Sequence, residues 1–412
     1  MLKKRDGFVL LFIVVTLQTI TEINSRKMKS SNQHQEIKNL AASIDYFTSS
    51  LFQDMVIGIN ENVFMSPFSV ATILSMVYLG AKQNSAEQLK NVLNVTSTPN
   101  ALALAYKKYF SVQKNSNEAN MSKSVNRLYV DDKFPILKSY KHKISNYFFT
   151  DIKNVDFIKK AERIRIDINK WVKKETYNEI TDLLPSKSLS SDTVLLLVNA
   201  MHFEGMWAER FPEKVTSSRE FHLSSGKTIS YDSMFISEDF NTKISHNYKA
   251  VELPYMGEKF SMFVILPNKM DGLAALEKEI NAEFLKEIKE RKGFKQLSLE
   301  LYLPKFHFQS AFELSDTLQN LGLSDIFDAS KANLSGISSR KNLYVNKFFH
   351  KTFIDVNEKG TEAAAASGEV VINPVSAQTG TIFDVNHPFI FLIADRRIKM
   401  IYFIGKVTNP AD

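Results

Sequence analysis

GTEAAAASGEVVINPVSAQTGT, residues 360–381, decides how this chain is read. Small residues come first and a mixed apolar run follows, with no Lys or Arg and no strong helix cap. Strand-like segments lie on both sides. A connection of this length is rare unless it is functional or disordered. Taken alone, four consecutive alanines read as a helix fragment or as filler, and the whole stretch as a mobile linker.

Upstream, the texture is helical. EIKNLAASIDYFTSSLF (36–52) spaces Ile37, Leu40, Ile44, Phe47 and Leu51 by threes and fours, which predicts an amphipathic helix. In NVFMSPFSVATILSMVYLG (62–80), Ser66 suits a helix cap, Pro67 its first position and Gly80 its end. The body of that helix is apolar nearly all round, so it is expected to be buried. ALALAYKKYFSVQK (101–114) and RIRIDINKWVKKETYNEI (163–180) also read as helices. The texture then becomes strand-like in TVLLLVNAMHF (193–203), FSMFVILP (260–267) and LSLELYLPKFHF (297–308). IFDVNHPFIFLIAD (382–395) and IKMIYFIGKV (398–407) predict a hairpin around Arg396 and Arg397. Helices first and strands later give an α+β class. No internal repeat or clear linker interrupts the order, which favours one domain.

The totals bound the setting. Hydrophobic residues make up 44% and charged residues 24%, an ordinary soluble balance, and 31 Phe supply a large aromatic core. Residues 1–25 read as a secretory signal: Lys3, Lys4 and Arg5 precede FVLLFIVVTL (8–17), a run too short to span a bilayer. Cleavage is expected between residues 19 and 25, leaving 26–412 as one domain in the extracellular space. The chain has no cysteine, so an exported protein must here be held by its core alone. Cys-type zinc sites and thiol catalysis are excluded. Sequons at Asn94, Asn120 and Asn333 fit glycosylation on export. The formal charge is +7, and removing Lys3, Lys4, Arg5, Asp6 and Glu22 leaves 49 basic and 43 acidic residues, or +6. That excess permits an acidic polysaccharide partner. No GxSxG elbow, HExxH, Walker loop or GxGxxG after a strand is present, so the pattern is not that of an enzyme.

With these blocks in place, EKGTEAAAAS (358–367) resembles the hinge of an inhibitory serpin. NVFMSPFSVATILSMVYLGAK (62–82) resembles that family's second helix, INKWVKKETYNEITDLL (168–184) its sixth, and LVNAMHFEGMWAERF (197–211) the strand and turn beneath the loop. VELPY (251–255), LPKF (303–306), NHPFIFLI (386–393) and IYFIGKVTNP (401–410) continue in family order. The resemblance covers nearly all of the chain after the signal. It implies three sheets and eight or nine helices in one domain, with an exposed reactive-centre loop over about 358–381. It also implies a protease inhibitor that is cut in this loop, traps its target serine protease covalently and inserts the loop into its main sheet. The expected protein is a monomer that uses no cofactor or metal and binds neither nucleic acid nor membrane. A non-inhibitory serpin acting as carrier, chaperone or hormone precursor is the alternative.

The resemblance assigns residues as follows. The hinge is Glu358, Lys359, Gly360, Thr361, Glu362, Ala363, Ala364, Ala365, Ala366 and Ser367. Thr361, Ala363, Ala365 and Ser367 share one face of an inserted strand and are small enough to enter. Glu369 continues that face where the family usually has an apolar residue, so a carboxylate would enter the sheet interior. A sheet-opening cluster maps onto Ser66, Ser69, Asn199 and His350, with Trp207, Glu358 and Lys359 at the top of the sheet. The reactive bond is placed at Val375–Ser376, with Pro374–Val375 as the alternative. Val375 with Pro374 before it suits an elastase-like pocket, and no basic residue between Lys359 and Arg396 is offered to a trypsin-like one. Lys107, Lys108 and Lys114, with Lys138, Lys141 and Lys143 beyond them, are the candidate contacts for a heparin-like glycosaminoglycan.

Overall fold

A computed structural model describes residues 35–114, 121–361 and 380–411. The helices are α1 (35–56), α2 (Pro67–Gly80), α3 (Gln83–Val92), α4 (Pro99–Lys114), α5 (Lys138–Phe148), α6 (Phe157–Glu175), α7 (Leu273–Glu279), α8 (Ala282–Lys289) and α9 (Ser315–Asn320). The strands of the first half are β1 (Val63–Met65), β2 (Met121–Asp131), β3 (Ile152–Val155), β4 (Leu195–Met206), β5 (Ser217–His222), β6 (Thr228–Ile244), β7 (Tyr248–Pro254) and β8 (Phe260–Pro267). β9 (Lys295–Pro304), β10 (Phe306–Glu313), β11 (Lys347–Asn357), β12 (Gly360–Thr361), β13 (Thr381–Asp384), β14 (Phe389–Asp395) and β15 (Met400–Val407) complete the set.

The α2 helix sets the plan. Ser66 caps it by accepting the Ser69 N–H, Pro67 opens it, and every residue through Gly80 is buried. The last helical residue is glycine for a packing reason: a Cβ on Gly80 would meet Ile337 Cγ1 at 2.3 Å. The aromatic core gathers around this helix. Phe68 stacks on Tyr402 at 4.9 Å, and Phe64 on Phe403 at 4.9 Å.

Six strands form one sheet in the order β10-β11-β12-β4-β2-β3. A nine-stranded path runs β1-β15-β14-β8-β7-β6-β9-β13, with β5 on β6. It narrows where β6 meets β7 through three residue pairs, Thr242–Val251 to Ile244–Lys249, against ten pairs between β6 and β9. Divided at that narrow join, the path makes two sheets, three in all with the six-stranded one, in an α+β architecture.

Several element limits differ from those the sequence suggests. The helix expected over 163–180 begins at Phe157, where Asp156 caps it through the Lys159 N–H at 3.0 Å, and ends at Glu175. Tyr177 and Asn178 then take positive φ, which stops helix propagation. The run 297–308 is two strands: the chain turns at Lys305 and passes from β9 to β10, in another sheet. The run 382–395 divides likewise into β13 and β14. Strand β2, which falls among the helices, breaks the expected helices-first order because its partner β4 lies 64 or more residues onward.

Candidate functional site

The site lies along the seam between β4 and β11. These strands run parallel and pair from Lys347–Leu196 to Phe353–His202. Above that stretch they part, and β12 occupies the gap. Thr361 pairs with Gly205 on one side and Val356 on the other, and Gly360 pairs with Met206 and Asn357. A two-residue turn, Glu358 and Lys359, links β11 to β12.

Each residue of this turn is clamped. The Trp207 backbone N–H donates to Lys359 O at 3.0 Å, its indole N–H to Asn357 O at 2.9 Å, and the Phe211 N–H to Glu358 O at 3.1 Å. Burial opposes charge on the Glu358 carboxyl, but its own backbone N–H, the Thr216 hydroxyl and Lys305 outweigh that and hold it below the usual carboxylate range. Thr361 is fully buried, and its hydroxyl meets Tyr255 Oη at 2.7 Å. Tyr255 in turn stacks on Trp207 with ring centroids 4.6 Å apart. Gly360 has φ +156°, and no side chain fits there: a Cβ would stand 1.9 Å from Gly205 O.

Lower on the seam is a polar row. Asn126, Asn199 and His350 sit directly opposite one another on β2, β4 and β11. The start of α2 closes it from one face. The Ser66 N–H donates to His350 Nε2 at 3.0 Å, so Nδ1 carries the ring proton and donates to Asn199 Oδ1. The Ser69 hydroxyl reaches Asn199 Oδ1 at 2.9 Å and Ser66 O at 3.0 Å. Asn199 Nδ2 donates to Asn126 Oδ1, and Asn126 Nδ2 to Ser124 Oγ at 2.8 Å. Burial pushes His350 down to about 3, so the ring is neutral. Each member is thus buried and paired, as such groups must be.

Ser66, Ser69, Asn199 and His350 come together, whereas Trp207 does not join them. It follows Asn199 by eight residues, roughly 26 Å along an extended strand, and clamps the hinge instead. Asn126 and Tyr255 are the members the sequence reading missed. An amide alternating with Val125 and Arg127 in a strand is a faint signal, and Tyr255 looks like ordinary core. Glu362, Ala363, Ala364, Ala365, Ala366, Ser367, Glu369, Pro374, Val375 and Ser376 lie outside the described residues, as do the signal segment and Asn120.

Asn94 is exposed, and Asn333 is half-buried with its amide donating to Gln83 Oε1 at 2.8 Å. Lys107 and Lys143 reach across the α4–α5 seam in opposite directions, to Asn146 at 2.7 Å and Asn100 at 3.2 Å. Lys108 is paired with Glu36. Lys138 and Lys141 are exposed, and the Lys114 side chain lies outside the described set. Among the described residues, no helix is long and apolar enough to cross a membrane, and no group of three or more His, Asp or Glu could hold a metal ion.

Comparison with known proteins agrees with this geometry. The family model described as Serpin (serine protease inhibitor) matches residues 42–410. Human Serpin B3 is 33% identical over 391 residues, covering 91% of this chain and 100% of that protein. Leukocyte elastase inhibitor of Xenopus tropicalis is 33% identical over 389 residues, again 91% and 100%. Among solved structures, Serpin48 of the insect Tenebrio molitor matches with a TM-score of 0.81 at 31% identity, over 91% of this chain and 98% of that one. Uncleaved ovalbumin matches with a TM-score of 0.83 at 28% identity, over 90% and 100%. With its sheets, its parted seam and these likenesses over nine-tenths of its length, the chain belongs to the serpin family.

Proposed function

We propose that this serpin is a secreted inhibitor of elastase-like serine endopeptidases, acting as a suicide substrate rather than an enzyme. The observation that carries the reading is β12. The first two hinge residues after the turn are already paired between β4 and β11, so the residues that follow have a starting point from which to extend as the β4–β11 pairs below give way. After cleavage, small side chains at Ala363, Ala365 and Ser367 meet little steric resistance on that path. The bait is Val375–Ser376, with Pro374 in the adjoining subsite, and Pro374–Val375 is the alternative bond. Residues 1–25 act as the export signal, 26–412 form the mature monomer, and Asn94, Asn120 and Asn333 are its glycan acceptors.

Incubation with neutrophil elastase should give a covalent complex stable to detergent, while trypsin and thrombin should give none. Mass spectrometry of the released C-terminal fragment should find Ser376 at its start. Cutting without any trapped complex would favour a non-inhibitory serpin, and a fragment starting beyond Arg396 would remove the loop assignment. Secretion has its own readout: the protein in culture medium should begin between residues 20 and 26. A heparin-like polysaccharide is a second partner, supported by Lys107 and Lys143, which engage amides rather than carboxylates across the α4–α5 seam.

A further inference from the structure

A cleft of about 110 Å³ lies where the first turns of α1 and α4 meet the connection from α3 to α4. Three consecutive residues of its lining, Asn94, Val95 and Thr96, are a glycosylation sequon. The turn that puts them there is closed by backbone bonds. The Asn94 N–H donates to Asn91 O and the Val95 N–H to Lys90 O, both at 3.0 Å. Asn94 takes φ +49°, a left-handed conformation that asparagine tolerates better than most residues with a side chain. The chain thus leaves α3 abruptly, with Asn94 exposed and Val95 buried beside it.

The lining has two chemistries. Leu40, Val95 and Leu102 are buried and give an apolar floor, while Asn39, Thr96 and Ser97 give a polar rim. An N-acetylated sugar divides in the same way, with C–H faces and an acetyl methyl on one side and hydroxyls and an amide on the other. The cleft is smaller than sites for free small molecules, which start at about 300 Å³, so an untethered ligand would gain little there. A tethered one needs far less, because attachment at the rim supplies a high effective concentration. Asn333 differs at this point: its amide nitrogen already donates to Gln83 Oε1 at 2.8 Å. Among the described residues, the Asn94 amide makes no hydrogen bond.

We infer that this cleft holds the first sugar of a glycan on Asn94, an N-acetylhexosamine, and that the sugar clasps the start of α1 to α4. The inference rests on the export reading above, which supplies the modification. In that step Asn94 Nδ2 bonds to the anomeric carbon of a lipid-linked sugar, the lipid pyrophosphate leaves, and the amide gives up one proton. The acetyl group then lies on Leu40, Val95 and Leu102, and the ring hydroxyls face Asn39 and Ser97.

The test uses the full protein secreted from a glycosylating host, trimmed enzymatically to one sugar per site, with the acetyl methyl isotope-labelled. Mass spectrometry reads occupancy at Asn94. The acetyl methyl on Asn94 should show nuclear Overhauser contacts to methyl groups of Leu40, Val95 or Leu102, and its signal should vanish in Thr96→Ala, which ends the sequon. Hydrogen exchange of residues 36–40 should be about threefold or more faster in Thr96→Ala than in the glycosylated protein. Thr96→Ser, which keeps the sequon, should leave that exchange unchanged. An Asn94 sugar whose acetyl group contacts no cleft residue, or α1 exchange indifferent to Thr96→Ala, would overturn the clasp and leave the glycosylation reading standing. A secreted protein with Asn94 bare would overturn both.

Discussion

His350 has its tautomer fixed by its partners. A backbone N–H points at Nε2, so a second ring proton there would oppose another donor. Folded His350 therefore takes up no proton until about pH 3, whereas in the unfolded chain it does so near its ordinary 6.5. Between these values the unfolded state binds more protons, so stability is full above 6.5 and falls as the pH drops toward 3. The slope is at most about 1.4 kcal/mol per pH unit. The difference in unfolding free energy between wild type and His350→Gln should be flat from pH 8 to 7 and shrink below 6.5. A difference independent of pH down to 4 would contradict a buried neutral ring. The raised Asp45, at about 6, acts in the opposite sense but is common to both proteins and cancels. Ser66, Ser69, Asn199 and His350 were legible as a group only through the family blocks. Nothing in local spacing ties positions 284 residues apart, and Asn126 has no block of its own.

At the scale of elements, β12 is the part with most at stake. Thr361→Arg would place a guanidinium against Tyr255 in a fully buried position, at a cost of several kcal/mol if unpaired. The short strand should leave the slot rather than accept it. The loss to the folded state is then only about 1–2 kcal/mol of pairing. The variant should fold, be cut by elastase, and trap little of it, read on a gel as inhibitor consumed per enzyme trapped. Unchanged stoichiometry would sink the insertion mechanism. Element type was readable wherever one periodicity persisted, as in α2 and in β8, whose limits match the sequence reading. It failed where an apolar run crosses a corner. LSLELYLPKFHF alternates on both sides of the corner, but the apolar set moves from odd positions (297–303) to even ones (306 and 308) at Lys305, and that one-residue slip, where the chain changes sheets, is easily passed over in one strand-like run.

For the whole molecule, the seam is parted only at its top, where β12 lies between β4 and β11, and it is closed by direct pairing below. Driving the cut loop between β4 and β11 breaks their seven direct pairs and makes a new ladder on each side, a net gain of roughly ten hydrogen bonds, each worth about 1 kcal/mol. For a chain of this size, that raises Tm by about 10 °C or more. Scanning calorimetry of intact and loop-cleaved protein measures it, and equal melting temperatures would mark a loop that does not insert. The two pairs of β12 also serve as a ruler. Carried on without a slip, their register would bring Ala363 against Phe203 and Ile354, and Ala365 against Met201 and Thr352. Ser367 would then arrive between Asn199 and His350, offering a hydroxyl that can stand in for the bond it separates. Two residues later the same count sets Glu369 between Leu197 and Phe348, both fully buried. On that register the sheet would serve as a depth gauge: a polar berth for Ser367, and beneath it a dry one that would admit a carboxyl far more readily with its proton on than off.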